Sequence, residues 1–227
     1  MPERGNMVRH FDQELDQLKS KLLEMSMLVT TAIHRSIEAV VERDEHIADE
    51  VLKNEGIVNE MEIEIDDLAI QLLALQHPLA VDLRLIAAAL KINNDLERMG
   101  DLAVNIALRA IDLVGKPSIK PMIDIPHIAA LVESMVRKSL DSFVARDVEL
   151  ARSVLASDDA VDDLRNASFH ELISFMEKSP KNIPQAVNLL SVVRNLERIA
   201  DHSTNIAEDV LFYVKGIDVR HHSEVRE

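Results

Sequence analysis

Apolar side chains recur at steps of three and four along most of the chain, the period of helices that bury one face. In the first run Leu15, Leu18, Leu22, Met25, Val29, Ala32 and Ser36 share a side, which predicts a helix over 8–43. Arg43-Asp44-Glu45 reads as a tight corner. Val51, Val58, Met61, Ile65, Leu68, Leu72 and Leu75 mark a second helix, stopped at His77-Pro78. Proline there lacks an amide and disfavours helical backbone in the residue before it. A third helix over 79–114 closes at Gly115, and three more are expected over 127–145, 148–178 and 183–215. Ser179-Pro180 and Pro184 punctuate the last two, and Gly216 supplies a C-terminal stop. Residues 116–126 hold Pro117, Pro121 and Pro126 without a period and read as a linker. The polar segment 217–227 reads as a frayed tail, with His221-His222 in solvent.

The two halves repeat one another. Ser36-Ile37-Glu38, Val41 and Arg43-Asp44 match Ser139-Leu140-Asp141, Val144 and Arg146-Asp147. Ala48, Val51, Leu52 and Val58 match Ala151, Val154, Leu155 and Val161. The third and sixth helices align without a gap: Leu96-Glu97-Arg98-Met99-Gly100-Asp101 on Leu196-Glu197-Arg198-Ile199-Ala200-Asp201, then Asn105-Ile106-Ala107 on Asn205-Ile206-Ala207. An ordered series of such matches implies duplication. With short corners favouring antiparallel neighbours, the expected fold is all-α: two tandem three-helix bundles, 8–115 and 127–216, six helices in all.

Composition agrees with helices on aliphatic seams. Apolar residues make up 47% of the 227, while five Phe, one Tyr and no Trp leave little for aromatic packing. The net charge of −15 argues against nucleic acid, whose binding rests on Lys and Arg at phosphates. It argues equally against charge-driven docking on anionic lipid, and favours cations or a basic patch on a partner. The absence of Cys excludes disulfides and thiolate chemistry. Residues 1–12 lack the apolar stretch of a secretion signal, and runs such as 85–90 are too short to span a bilayer. No direct membrane insertion is expected, and the cytoplasm is the simplest location.

Charge then acquires a position. Glu97, Asp101 and Asn105 on the third helix, and Glu197, Asp201 and Asn205 on the sixth, stack one turn apart. Leu83, Ile86, Leu90, Val104 and Leu108 fall on the side of Glu97 and Asp101, so the carboxylates interrupt an apolar stripe. On the sixth helix Ile183, Ala186, Leu190 and Val193 lead into the motif, with Thr204, Glu208 and Leu211 after it. Two exposed carboxylates one turn apart repel by about 0.2–0.5 kcal/mol; beside core positions each also loses water, at several kcal/mol if nothing compensates. A proton, a buried Arg or a metal ion could supply the compensation. Arg98 and Arg198 point about 100° away from their neighbouring Glu. The candidate ligands are all oxygens, which suits magnesium, calcium, manganese or iron better than a softer centre. Glu62 and Asp66 on the second helix flank core positions and are expected on a solvated face. Asp158, Asp159, Asp162 and Asp163 form an acidic run in the second half, mostly solvated. Glu62, Asp66 and Asp162 stand as additional candidate ligands, with Asn105, Asn205 and Glu208. His202 is expected as a half-exposed bystander.

Several chemistries lack their residues. No His has Glu three positions before it, as a helical di-iron oxidase requires. There is no Gly-rich nucleotide loop and no nucleophile elbow, so no catalysis is expected. The alternatives are a carboxylate-cluster metalloenzyme and a structural helical module indifferent to metal.

Asp82-Leu83-Arg84 after Pro78, then Leu96 to Asp101 with Asn105-Ile106-Ala107, resemble the first signature of the PhoU family. Asn195 to His202 with Asn205-Ile206-Ala207 resemble its second, and the likeness runs from about residue 11 to 216. The resemblance implies two three-helix bundles with iron, zinc, manganese or magnesium, in single or multinuclear sites, at Glu97, Asp101, Glu197 and Asp201. It also implies a negative regulator of the phosphate regulon, an adaptor between the ATPase subunit of a phosphate ABC transporter and a phosphate-sensing histidine kinase, working as a homodimer. Gly100 against Ala200, and Asn94 against Arg194, are differences between the halves that could make the two sites unequal.

Overall fold

The structure is a computed structural model that describes residues 3–76, 78–116 and 124–217, with side chains at 11–75, 78–116 and 124–217. It is all-helical. Three helices make the first half: α1 (Glu3–Glu42), α2 (Glu45–Gln76) and α3 (Ala80–Leu113). The second half holds α4 (Ile125–Ala145), α5 (Val148–Leu155), α6 (Asp158–Lys178), a single 3-10 turn at Pro180–Asn182, and α7 (Ile183–Lys215). His77, most of the expected linker and His221-His222 lie outside the described residues.

The punctuation follows backbone chemistry. Gly115 and Gly216 take φ of +69° and +70° just past α3 and α7, a conformation that costs glycine nothing. The corners at Arg43 and Arg146 are equivalent in the repeat and share a left-handed backbone, at φ 56° and 55°. Each is followed by an Asp that caps the next helix. Asp44 Oδ1 accepts from the amides of His46 at 2.8 Å and Ile47 at 3.4 Å. Asp147 Oδ1 accepts from those of Glu149 and Leu150, both at 3.0 Å. Tertiary partners hold the two strained arginines in place. Arg43 donates to the carbonyls of Leu113 and Lys116, and Arg146 stacks 5.4 Å from the Tyr213 ring centroid.

Three boundaries differ from the sequence reading, the first being that α1 begins at Glu3 rather than at 8. α4 begins at Ile125 rather than 127, because Asp124 accepts from the His127 amide and Pro126 fits the first turn, where no amide is needed. The fifth expected helix is broken at Ala156–Ser157. The Ser157 amide turns back to the Val154 carbonyl at 2.9 Å, and α6 restarts with Asp158 and Asp159 in its first turn, where acidic groups suit the helix dipole.

Each half is a three-helix bundle, the broken pair α5 and α6 serving as one arm of the second, and the bundles share one continuous core through α3 and α7. These two helices make the most extensive helix contact in the molecule and run antiparallel: Arg84 meets Tyr213, Lys91 meets Asp209, Asp95 meets His202, and Arg109 meets Asn188. No helix among the described residues is long and apolar enough to cross a membrane.

Candidate functional site

The faces of α3 and α7 that meet each other are not the acidic ones. At about 100° per residue Glu97 lies roughly 160° around α3 from Asp95, which sits in the α3/α7 contact. Glu97 and Asp101 turn instead toward α2, and Glu197 and Asp201 toward α6.

In the first cluster Glu97 is largely enclosed and Asp101 half-exposed. Loss of water, then the neighbouring charge of Asp101, holds the Glu97 carboxyl above its ordinary value, and Glu62 adds to the push. Arg98 supplies opposing charge from the rim, with Nε 3.4 Å from Glu97 Oε2 and Nη1 4.0 Å from Asp101 Oδ2. Glu97 Oε2 is nonetheless shut off from solvent and accepts no hydrogen bond. One turn earlier the fully buried Asn93 donates through Nδ2 to the Glu62 carbonyl and to Asp66 Oδ1, both at 2.9 Å. Its own Oδ1 has no partner. Glu62 and Asp66 are therefore half-buried against α3, not on the solvated face that their spacing suggested. A cavity of about 140 Å³ opens beside Asp101, with Ala32, Val58 and Gly100 in its wall. The second half carries Met135 and Ala200 in place of Ala32 and Gly100.

The second cluster gathers Asp158 and Asp162 from α6 with Glu197 and Asp201 from α7. Asp201 is open to solvent along one edge. Loss of water on the other, then Glu197, Asp158 and Asp162, pushes its carboxyl up to about 6. Burial followed by Asp162 raises the Asp158 carboxyl as well. A counter-ion is built in here: Arg165 Nη2 lies 3.0 Å from Asp162 Oδ1 and 3.2 Å from Glu197 Oε1.

The remaining candidates stand apart. Asn105 is exposed. Asn205 turns to the α3/α7 contact and donates to Asp95 Oδ1 at 3.3 Å. Glu208 lines a cleft in the same contact beside Lys91 and Asp209. The apolar stripes around the motifs are also less buried than their pattern implied: Leu83, Leu108 and Ile183 are exposed, while Ile86, Ala186 and Val193 are core. His202 is no bystander, since its side chain is 16% exposed and its Nδ1 lies 2.7 Å from Asp95. Sequence reasoning missed Asp158 as a member of the second cluster, although it precedes Asp162 by one helical turn, the spacing of the motifs themselves. It also missed Arg165.

Among the described residues no three carboxylates or imidazoles stand close enough to hold an ion as they are placed. The donors nevertheless fit a hard cation by chemistry. They are all oxygens, they crowd like charges into partly dry surroundings, and Glu97 Oε2 is enclosed without a hydrogen bond.

Comparison with known proteins gives the same architecture. The family model described as PhoU domain matches twice, over residues 22–110 and 125–210. The phosphate-specific transport system accessory protein PhoU homolog of Pseudomonas aeruginosa is 38% identical over 214 residues, covering 94% of this chain and 88% of that protein. The protein of the same description from Aquifex aeolicus is 39% identical over 209 residues, covering 92% and 95%. The crystal structure of PhoU from Pseudomonas aeruginosa superposes with a TM-score of 0.89 at 37% identity, over 91% of this chain and all (100%) of the other. That of the phosphate transport system regulatory protein PhoU from Streptococcus pneumoniae gives 0.85 at 27%, over 92% and 99%. With both halves matched in sequence and in fold, the chain belongs to the PhoU family.

Proposed function

We propose that this chain is a regulatory accessory protein of a phosphate transport system. It acts as a negative regulator of phosphate uptake and of phosphate-regulon signalling, an adaptor between the ATPase subunit of the transporter and a phosphate-sensing histidine kinase. It works in the cytoplasm as a homodimer and turns over no substrate. Family membership and the accessory-protein descriptions of its relatives support the transport role.

The observation that carries the metal part of the reading is the enclosed Glu97 Oε2, which accepts no hydrogen bond, lies beside the like charges of Asp101 and Glu62, and has only the rim cation Arg98 at 3.4 Å. Glu97, Asp101 and Glu62 would hold an ion in the first bundle, and Glu197, Asp201, Asp158 and Asp162 in the second. A bound cation would cancel carboxylate repulsion and so draw α2 onto α3, and α6 onto α7. The helix surfaces that partners touch would then depend on metal.

Purified chain, ATPase subunit and kinase, mixed with manganese or with EDTA, test the reading. Association that weakens on chelation is expected; absence of association with either partner under both conditions contradicts the adaptor role.

A further inference from the structure

The repeat carries a charge inversion. The register that pairs Ala48 with Ala151 and Val58 with Val161 continues into the acidic segment, since Ala69 and Leu172, which it also pairs, are both fully buried. The same register sets Asn59 against Asp162 and Glu62 against Arg165. Where the first bundle aims a third carboxylate at its motif, the second bundle aims a guanidinium.

That guanidinium joins two members of its cluster while a third of its side chain stays exposed, at 34%. Nη2 bridges Asp162 on α6 and Glu197 on α7. Its field reaches Asp201, whose neighbours also include Asp158. Nε is buried without a hydrogen-bond partner, while Nη1 donates to Asn166 Oδ1 at 3.0 Å outside the cluster. Among the described residues the first cluster has no such bridge: Arg98 there is 55% exposed and meets its carboxylates from the rim, at 3.4 and 4.0 Å.

We propose that Arg165 is an internal counter-ion that competes with a metal ion for the second cluster, so that the two repeats are unequal cation sites. The inference rests on the metal reading above. The first site needs its carboxylates drawn together around the ion but has only the rim cation Arg98 to displace. The second accepts one only when the Arg165 guanidinium withdraws, because a fixed positive charge between Asp162 and Glu197 repels a second one at the same oxygens. A guanidinium does not lose its proton in a protein, so movement is the route open to it. The fold provides somewhere to go. Arg165 stands in the wall of an open cleft of about 480 Å³, lined also by Phe169, Leu190 and Val193 and, among its charged groups, by Arg194 and Glu197. Its aliphatic stem can stay against those apolar side chains while the charged end swings outward.

Manganese titration of metal-stripped protein by calorimetry, with thermal melts in EDTA and in manganese, tests this. Wild type should show one tight and one weak class of site, with Glu97→Ala/Asp101→Ala removing the tight class. Arg165→Gln should tighten the weak class by about tenfold or more, the effect of removing one adjacent charge. It should also lower Tm in EDTA and enlarge the Tm gain from manganese. Glu62→Arg, which installs the counter-ion in the other bundle, should weaken the tight class. If both classes fill in wild type and neither Arg165→Gln nor Glu62→Arg changes affinity or the Tm gain, the counter-ion role is wrong and the metal reading stands. If neither wild type nor Arg165→Gln takes up manganese, both fall together.

Discussion

The imidazole Nδ1 of His202 on α7 lies 2.7 Å from the Asp95 carboxylate on α3, across the contact that joins the two bundles. Asp95 is 6% exposed, and its other partner there is the Asn205 amide at 3.3 Å. His202→Ala leaves a buried carboxylate short of a donor. The expected cost is about 1–3 kcal/mol, the penalty for a polar group stranded away from water. Urea unfolding checks it; a change under about 0.5 kcal/mol, as at an ordinary surface site, would return His202 to a bystander.

The two corner caps rank themselves. Asp147 accepts two amides at 3.0 Å, whereas Asp44 accepts one at 2.8 Å and a second at 3.4 Å. Each Asp→Ala change removes an N-cap worth about 1 kcal/mol. Chemical denaturation should find Asp147→Ala the more damaging of the pair.

Gly100→Ala is expected to stabilise the protein. An added Cβ would meet Val58 Cγ1 at 3.4 Å and Val29 Cγ2 at 3.9 Å, ordinary contacts, and would narrow the cavity beside Asp101. Removing a mid-helix glycine gains about 0.5–1 kcal/mol, and the equivalent position in the repeat is already Ala200, fully buried. A lower Tm for the variant would show that the backbone at Gly100 needs its freedom.

Acidity should stabilise the metal-free second cluster. Burial, then Glu197, raises the Asp201 carboxyl to about 6 in the fold, against about 3.9 in an unfolded chain. Between these values the folded state binds more protons than the unfolded one, so this group's contribution is complete below about pH 4 and is lost as pH rises through about 6. Because Asp201 is open to solvent on one edge, the effect is expected at about 1 kcal/mol or less. In EDTA, Asp201→Asn should be more stable than wild type at pH 7 and equal to it near pH 4. A difference independent of pH would point to packing instead.

Much of this architecture is legible in one-dimensional spacing. The apolar period marks the long helices, Gly115 and Gly216 close two of them, and Arg43-Asp44 with Arg146-Asp147 announces the same corner twice. The break at Ala156–Ser157 carries no Gly or Pro, and the only trace of it is a Ser before two Asp, a helix start in the middle of an apolar period. The misplaced residues share another cause. A helical wheel gives the angle of Glu62, Asp66 or His202 about its own axis but not which helix stands opposite. Asp66 is drawn in by Asn93, and His202 by Asp95, each on α3. Arg165 escaped notice because a residue in an acidic run is weighed with its neighbours, whereas its partner Glu197 lies on α7.

The central claim, that the paired acidic motifs hold metal, is tested most directly by the metal content of untagged protein. Mass spectrometry would compare wild type with the Glu97→Ala/Asp101→Ala and Glu197→Ala/Asp201→Ala doubles after incubation with iron, zinc, manganese or magnesium. Metal in wild type, with each double mutant losing its own share, is the predicted result. Wild type that stays metal-free under every condition would contradict it, leaving the enclosed Glu97 oxygen to be balanced by a proton and the motifs as charged helix faces.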